Sequence, residues 1–379
     1  MGGNDKDAIY ERLCRLNNRE RFLKIMSFER ADRLPLIEVE SYEGETLKRW
    51  RREGLPENDS VGNFLGMDRI EYVPIDFNPL PGFEGRLIKD EENYRTEINH
   101  MGITVRYRKD LPSIIYSYLD HPVKNRDDWN RMKERFNPDD PNRYPSNWGG
   151  DLIRYYNEAE HPIGLILHPF FFRLLFFMMG MERFMLAFYD QPDLIHDMFE
   201  DCADFCITTT RKLFDAVKID FVAIAEDLAY KHSSHISPEM YREFWVPHQK
   251  KVIEFLKSKD VKVIGLWSSG DIRPILPLAI ECGYNATWPL EDVTGIHAVD
   301  LYKEYGNSLG LIGNMGIQTL MSGKEHIKRD VETKVLPLMD TGGFIPTVDD
   351  MTPPEVPFEN YVYYIDLLKE INRAKKTKF

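Results

Sequence analysis

Val261 to Glu291 reads VKVIGLWSSGDIRPILPLAIECGYNATWPLE. An apolar run, Val261 to Leu266, stops at Trp267-Ser268-Ser269-Gly270-Asp271. A second, Ala286 to Leu290, ends on Glu291. Short apolar runs bounded by turn residues are the mark of buried strands. Between them, residues 272–282 have the spacing of a helix. A strand, a helix and a second strand, each strand closing on polar residues, is the unit of a parallel sheet covered by helices.

The same unit recurs along the chain. Strand-like runs begin near Leu34, Ile70, Ile163, Phe221, Val261, Ala286, Leu309 and Gly343. Helical spacing separates the later ones, over 173–189, 238–258, 272–282, 297–305, 324–340 and 358–373. An amphipathic helix is also expected over 8–30. Eight such units predict an α/β chain folded as a (β/α)8 TIM barrel, one domain spanning 1–379. A doubly wound open sheet is the alternative, but no GxGxxG loop follows any strand. Residues 83–122 differ: β-formers alternate and turn residues recur every eight to twelve positions. They predict a β-rich meander inserted in the N-terminal half.

Composition narrows the function. The chain has 379 residues, 42% hydrophobic, with a net charge of -13. Such a charge opposes binding to nucleic acid. No run approaches the roughly 20 apolar residues of a membrane span; IGLILHPFFFRLLFFMMG is interrupted by His168, Pro169 and Arg173. The N-terminal residues carry no apolar signal core. Four cysteines, Cys14, Cys202, Cys206 and Cys282, show no disulfide spacing, which points to a reducing cytoplasm. Cys202 and Cys206, four apart on a helix, read as buried helix positions.

In a parallel barrel the chemistry sits at the C-terminal strand ends. The ends here are Glu38, Glu40 and Tyr42; Asp76; His168; Glu226 and Asp227; Trp267, Ser268, Ser269 and Asp271; Trp288 and Glu291; Asn314; and Asp349 and Asp350. Carboxylates gathered at one mouth repel one another unless they share protons or hold a ligand. The bland reading makes each a helix cap, and Asp271 fits it. Asp76 and Asp227 fit it less well, because no helix starts at once after either. They are the candidate catalytic residues. Tyr42, His168, Phe171, Trp267, Ser269, Trp288, Glu291 and Asp350 are the candidate substrate contacts. His232 and His235, three apart, read as local hydrogen-bonding residues rather than a metal pair.

Four ordered motifs carry a family resemblance. RERFLKIMSFERADRLPL (19–36), ISPEMYREFWVPHQKKVIEFLKS (236–258), IGLWSSGDIRPILPLAIECGYNATWPLE (264–291) and GGFIPTVDDMTPPEVPFENYVYYIDLLKE (342–370) resemble motifs of uroporphyrinogen decarboxylase-like proteins. The resemblance implies a (β/α)8 barrel. It also implies either decarboxylation in the tetrapyrrole pathway or zinc-dependent methyl transfer with a corrinoid protein. Two departures matter. The methyltransferase branch has His-x-Cys-Gly after strand five and a later Cys. Here those positions are Trp267-Ser268-Ser269-Gly270 and Asp350. Tryptophan cannot ligate zinc and serine is a poor substitute for thiolate, so the metal is unknown and a divalent ion with oxygen ligands stays open. The decarboxylase branch has an Arg-Gln-Ala-Gly-Arg-Tyr run where this chain has IEVESYEGETLKRW (37–50). Glu38, Glu40 and Glu43 would repel an eight-carboxylate substrate. Asp76 matches that branch's strand-two aspartate, Asp227 stands for its serine and Asp350 for its late histidine.

These readings give three expectations. The first is a methyltransferase-like enzyme that moves a methyl group from a small O- or N-methyl compound to cobalamin on a separate corrinoid protein. The second is a decarboxylase of a porphyrinogen or related acid. The third is a non-catalytic binding barrel. The first accommodates the acidic substitutions best.

Overall fold

The computed structural model describes residues 16–111 and 116–376. Cys14 and the first part of the helix expected over 8–30 lie outside them. Strand β1 is Glu71–Tyr72. A four-stranded antiparallel sheet follows: β2 Arg86–Asp90, β3 Tyr94–Ile98, β4 Thr104–Arg108 and β5 Tyr116–Asp120, in spatial order β2-β3-β4-β5. This is the meander expected from its alternation. Next come β6 Ile163–Leu167, β7 Phe221–Ala225, a small hairpin of β8 Ala229–Tyr230 and β9 Ser233–Ser234, then β10 Val263–Trp267, β11 Ala286–Trp288, β12 Gly310–Met315 and β13 Phe344–Val348.

Seven strands form one parallel sheet in the order β1-β6-β7-β10-β11-β12-β13. Order in space follows order in the chain, as right-handed strand–helix crossovers require, and the sheet curls into the barrel. The strand expected at Leu34 to Val39 is corrected in one respect: the segment is extended and packed inward but joins no ladder. It lies between the sheet edges. Asp68 N donates to Leu36 O on one side (2.8 Å), and Tyr42 bridges Thr352 on the other. Pro35 removes one ladder donor there. Asn372 and Asp68 side chains take the N–H groups of Leu34 and Leu36 instead.

The interior is apolar at its N-terminal end. Phe22, Ile25 and Met26, on helix Asn18–Met26, plug it and pack with Ile37, Val39, Phe221, Ala223, Val263, Ala286, Trp288, Ile312 and Ile345. The N-terminal motif is therefore a structural device. Arg19 pairs with Asp220 (2.9 Å), whose carboxylate also accepts Ile163 N. Buried Arg21 pairs with Asp32 (2.8 Å), and Arg33 with Asp68. Small inward residues make room for large ones: the Trp288 ring lies over Gly265, where an added Cβ would sit 1.7 Å from a ring carbon.

That contact is testable. Gly265→Ala forces the Trp288 ring to move, at a cost of about 1–3 kcal/mol for overpacking. Urea midpoints should show the loss, and Gly265→Ala combined with Trp288→Leu should cost less than the sum of the two single changes. An unchanged midpoint in Gly265→Ala would contradict this packing.

Candidate active site at the barrel mouth

The polar groups at the C-terminal ends separate into two sets. The first is acidic. Glu38, Glu40, Glu291, Asp349 and Asp350 come from the extended segment, the end of β11 and the end of β13, and the charges acting most strongly among them are other carboxylates. Burial pushes Glu40 up to about 8; the charges of Asp350, Glu291 and Asp349 add to it, and the Trp267 side chain partly offsets it. One Glu40 oxygen, Oε1, is buried with no hydrogen-bond partner. Glu38 is likewise pushed up to about 8, first by burial, although the N–H groups of Glu40 and Val348 and the Tyr361 hydroxyl donate to it. Asp349 rises to about 7 through burial, against bonds from Asp292 N (2.8 Å) and Ile317 N (2.9 Å). Glu291 rises through burial although Gly270 N donates to it (2.8 Å), and Ser269 also bonds to its side chain. Asp350 stands at the exposed rim, where surrounding protein displaces its carboxyl upward but water screens the effect.

The second set centres on Arg173. Its Nη1 pairs with Asp227, whose φ of 54° puts a non-glycine residue in the left-handed region. Ser269 N approaches Asp227 Oδ1 at 3.5 Å, linking the two sets. His168 lies at this side, open to water. Surrounding protein and then the Arg173 charge hold its imidazole down, to about 4, so it is neutral at pH 7.

Of the expected contacts, Trp267, Ser269, Glu291 and Asp350 come together, with Trp288 as an interior residue below them. Others are placed differently. Asp76 Oδ1 accepts from the backbone and side-chain nitrogens of Asn78 (2.8 Å each), and buried Arg143 clamps its carbonyl (2.9 Å). Its carboxylate shapes a turn. Asp227 is committed to Arg173. Phe171 is a correction: it is fully buried and stacks on Phe199 (4.7 Å) behind the sheet. Tyr42 backs the site rather than facing it, its hydroxyl 2.9 Å from that of Tyr361. Glu226 faces the helices, accepting from Phe172 N (2.8 Å) and Gln249 Nε2 (2.7 Å). Asn314 stitches loops, accepting from Ala298 N and donating to Leu290 O and Ile296 O. Asp271 holds Arg273, and His235 stacks on Phe172. Cys202, Cys206 and Cys282 are buried and free.

Sequence reasoning missed Tyr72. Its hydroxyl is buried without a partner, and burial, then Glu40 and Glu38, raise its pKa, so it keeps its proton. The signal was present: Ile70 and Tyr72 alternate inward in RIEYVPIDF. A cleft of about 640 Å³ lies elsewhere, between β5 and residues 176–191. It shares no lining residue with the mouth.

A family model for uroporphyrinogen decarboxylase (URO-D) matches residues 94–371. The chain belongs to the uroporphyrinogen decarboxylase family. It is 25% identical over 288 residues to the methylcobamide:CoM methyltransferase MtbA of Methanosarcina mazei, covering 72% of this chain and 76% of that protein. A solved methyltransferase structure from Methanosarcina mazei shares the fold, with a TM-score of 0.61 at 18% identity, over 94% of this chain and 99% of that one.

The zinc implied by the family's methyltransferase branch does not fit these residues. Trp267 and Ser269 replace the His and Cys, and buried Ser268 Oγ accepts Leu228 N (2.8 Å). Among the described residues no three His, Cys, Asp or Glu side chains are placed to hold a metal, so the oxygen-ligand alternative has no ligand set there either. Likewise, no described helix is long and apolar enough to cross a membrane.

The raised carboxyls make stability depend on pH. Glu38 and Glu40 titrate at about 4.5 when unfolded and about 8 when folded. The folded state then holds more protons between those values, so stability is full at the acid end and falls as pH rises. Urea unfolding from about pH 5 to about pH 8.5 should show that fall, with a shallower slope in Glu40→Gln. A slope of the opposite sign, unchanged in Glu40→Gln, would contradict the assignment.

Proposed function

We propose that this chain is a methyltransferase that moves a methyl group from a small O- or N-methyl compound to a corrinoid held by a separate protein. One observation carries the reading. The mouth is walled by carboxyl groups and aromatic rings, Glu40, Glu291 and Asp350 with Trp267, where a porphyrinogen decarboxylase needs cations. Arg173, the cation that the site brings into play, is already neutralised by Asp227. Burying an unpaired substrate carboxylate beside these acids costs several kcal/mol, on the order of the penalty for an uncompensated buried charge. The 25% identical relative, a methylcobamide:CoM methyltransferase, supports the same direction.

In this reading Trp267 forms an apolar wall for the donor and the carboxyl groups orient it. Ser269 and Gly270 hold Glu291 in place. The partner's corrinoid closes the mouth and accepts the methyl group. Reduced, buried cysteines support a cytoplasmic setting.

The test supplies purified protein with chemically reduced cobalamin as acceptor and a panel of O-methyl and N-methyl compounds. Methylcobalamin should form, read by absorbance, while uroporphyrinogen gives no coproporphyrinogen. Robust formation of coproporphyrinogen without methyl transfer would overturn the proposal.

A further inference from the structure

Strand β5 pairs with β4 on one side and with no strand on the other. Four consecutive residues, Tyr118 to His121, line the cleft of about 640 Å³. A strand that turns a face to a cleft lines it with alternate residues, so β5 turns its edge. A second concavity of about 440 Å³ takes in Tyr116 and Ser117 and meets the first at Leu119. The two together follow the length of β5.

Free strand edges invite pairing, and proteins blunt them with charges and bulges. The opposite edge of the meander is blunted in that way: β2 carries Arg86, Lys89 and Asp90 and its own bulge. Strand β5 is apolar where β2 is charged. Its bulge falls at Leu119, and bulges re-aim side chains. Leu119 is 53% exposed, and Leu186 on the facing helix Met181–Asp190 is 54% exposed. One end of the cleft is closed, where His121 Nδ1 donates to Phe177 O (2.9 Å) and Val123 N to Met178 O (2.8 Å).

The two concavities differ in charge. The larger holds Glu182 and Asp190, acids in no ion pair among the described residues. Arg183 also lines it, but its guanidinium donates to Met179 O (3.1 Å). The smaller holds Arg106 and Arg108. Each bonds one acid, Glu91 and Asp110, yet Arg106 Nε is buried with no partner. The edge therefore runs from a basic end at Tyr116 to an acidic end at His121.

We propose that the edge of β5 is a docking site for an extended segment of a partner protein, added as a fifth strand. Antiparallel pairing continues the pattern of the sheet and is the more stable kind. It sets the segment's beginning beside Asp120 and its end beside Tyr116. Charge complementarity then fixes the order in the segment: basic residues first, apolar residues opposite Leu119 and Leu186, acidic residues last. The site adjoins the barrel mouth. Tyr118 packs on Phe176 (5.1 Å), and the neighbouring Phe177 meets the His168 ring (6.3 Å). A partner docked there stands beside the rim, whatever reaction the mouth performs.

Two labelled peptides of one composition test this: Lys-Lys-Val-Leu-Val-Asp-Glu and its reverse, Glu-Asp-Val-Leu-Val-Lys-Lys. Fluorescence anisotropy with the full chain should show the first binding about 10-fold tighter than the second. Hydrogen exchange should slow over 116–120 when the first is bound. Glu182→Lys with Asp190→Lys should weaken it about 10-fold, and Leu186→Glu should weaken it too, both with unchanged circular dichroism. Equal binding of the two peptides would overturn the charge order and the antiparallel direction. Binding of neither, or binding without protection over 116–120, would overturn the docking site. Sedimentation of the protein alone supplies the last control. A dimer that Leu119→Lys dissolves would make a second copy the occupant and overturn the partner segment.

Discussion

Five carboxyl groups share the open end of the barrel, and the charges pressing most on Glu38, Glu40 and Glu291 come from other members of the set. Water would ordinarily screen such a group, but Glu38 and Glu40 are largely withdrawn from it and Asp349 is buried. Among the described residues no basic side chain forms an ion pair with these five groups, and keeping protons lowers their energy. The mouth becomes a set of hydrogen-bond donors instead of an anionic trap. That separates it from a porphyrinogen-binding mouth, which must meet many carboxylates with arginines.

The scaffold holds this arrangement against its own repulsion. The helix Asn18–Met26 closes the far end with Phe22, Ile25 and Met26, tied down by Arg19–Asp220 and Arg21–Asp32. Glu226 fastens the end of β7 to two helices, and Asn314 fastens the loops beyond β11 and β12. Asp349 accepts the backbone N–H groups of Asp292 and Ile317, which fastens the segments after β11 and β12 to the end of β13. Acids that looked alike in the sequence therefore divide into groups that build the rim and groups that face the ligand.

The barrel was legible because apolar strands alternate with helical spacing from Ile163 onward, a signal that depends on local pattern alone. The Leu34 segment read as a strand for the same reason; its apolar side chains do face inward, but Pro35 and the side chains of Asp68 and Asn372 replace ladder bonding. The rim was partly legible. Trp267, Ser269, Glu291 and Asp350 were found from strand ends. Phe171 was misplaced because the residue after a strand end can turn toward the covering helices, and Pro169-Phe170 makes that turn early. The partners of Asp76 and Asp227, Asn78 and Arg173, are turn or tertiary contacts that strand-end position does not reveal. Tyr72 was passed over because a tyrosine in a strand reads first as packing.

The central claim is that Glu40 holds a proton near neutrality at a site that lacks a partner for it. Carbon-13 NMR of protein labelled at glutamate side-chain carboxyls measures this directly. The account expects glutamate signals titrating near pH 8, one of which disappears in Glu40→Gln. If every glutamate titrates in the ordinary range, near about 4.3, the carboxyl groups of the mouth are anionic at pH 7 and the account is contradicted.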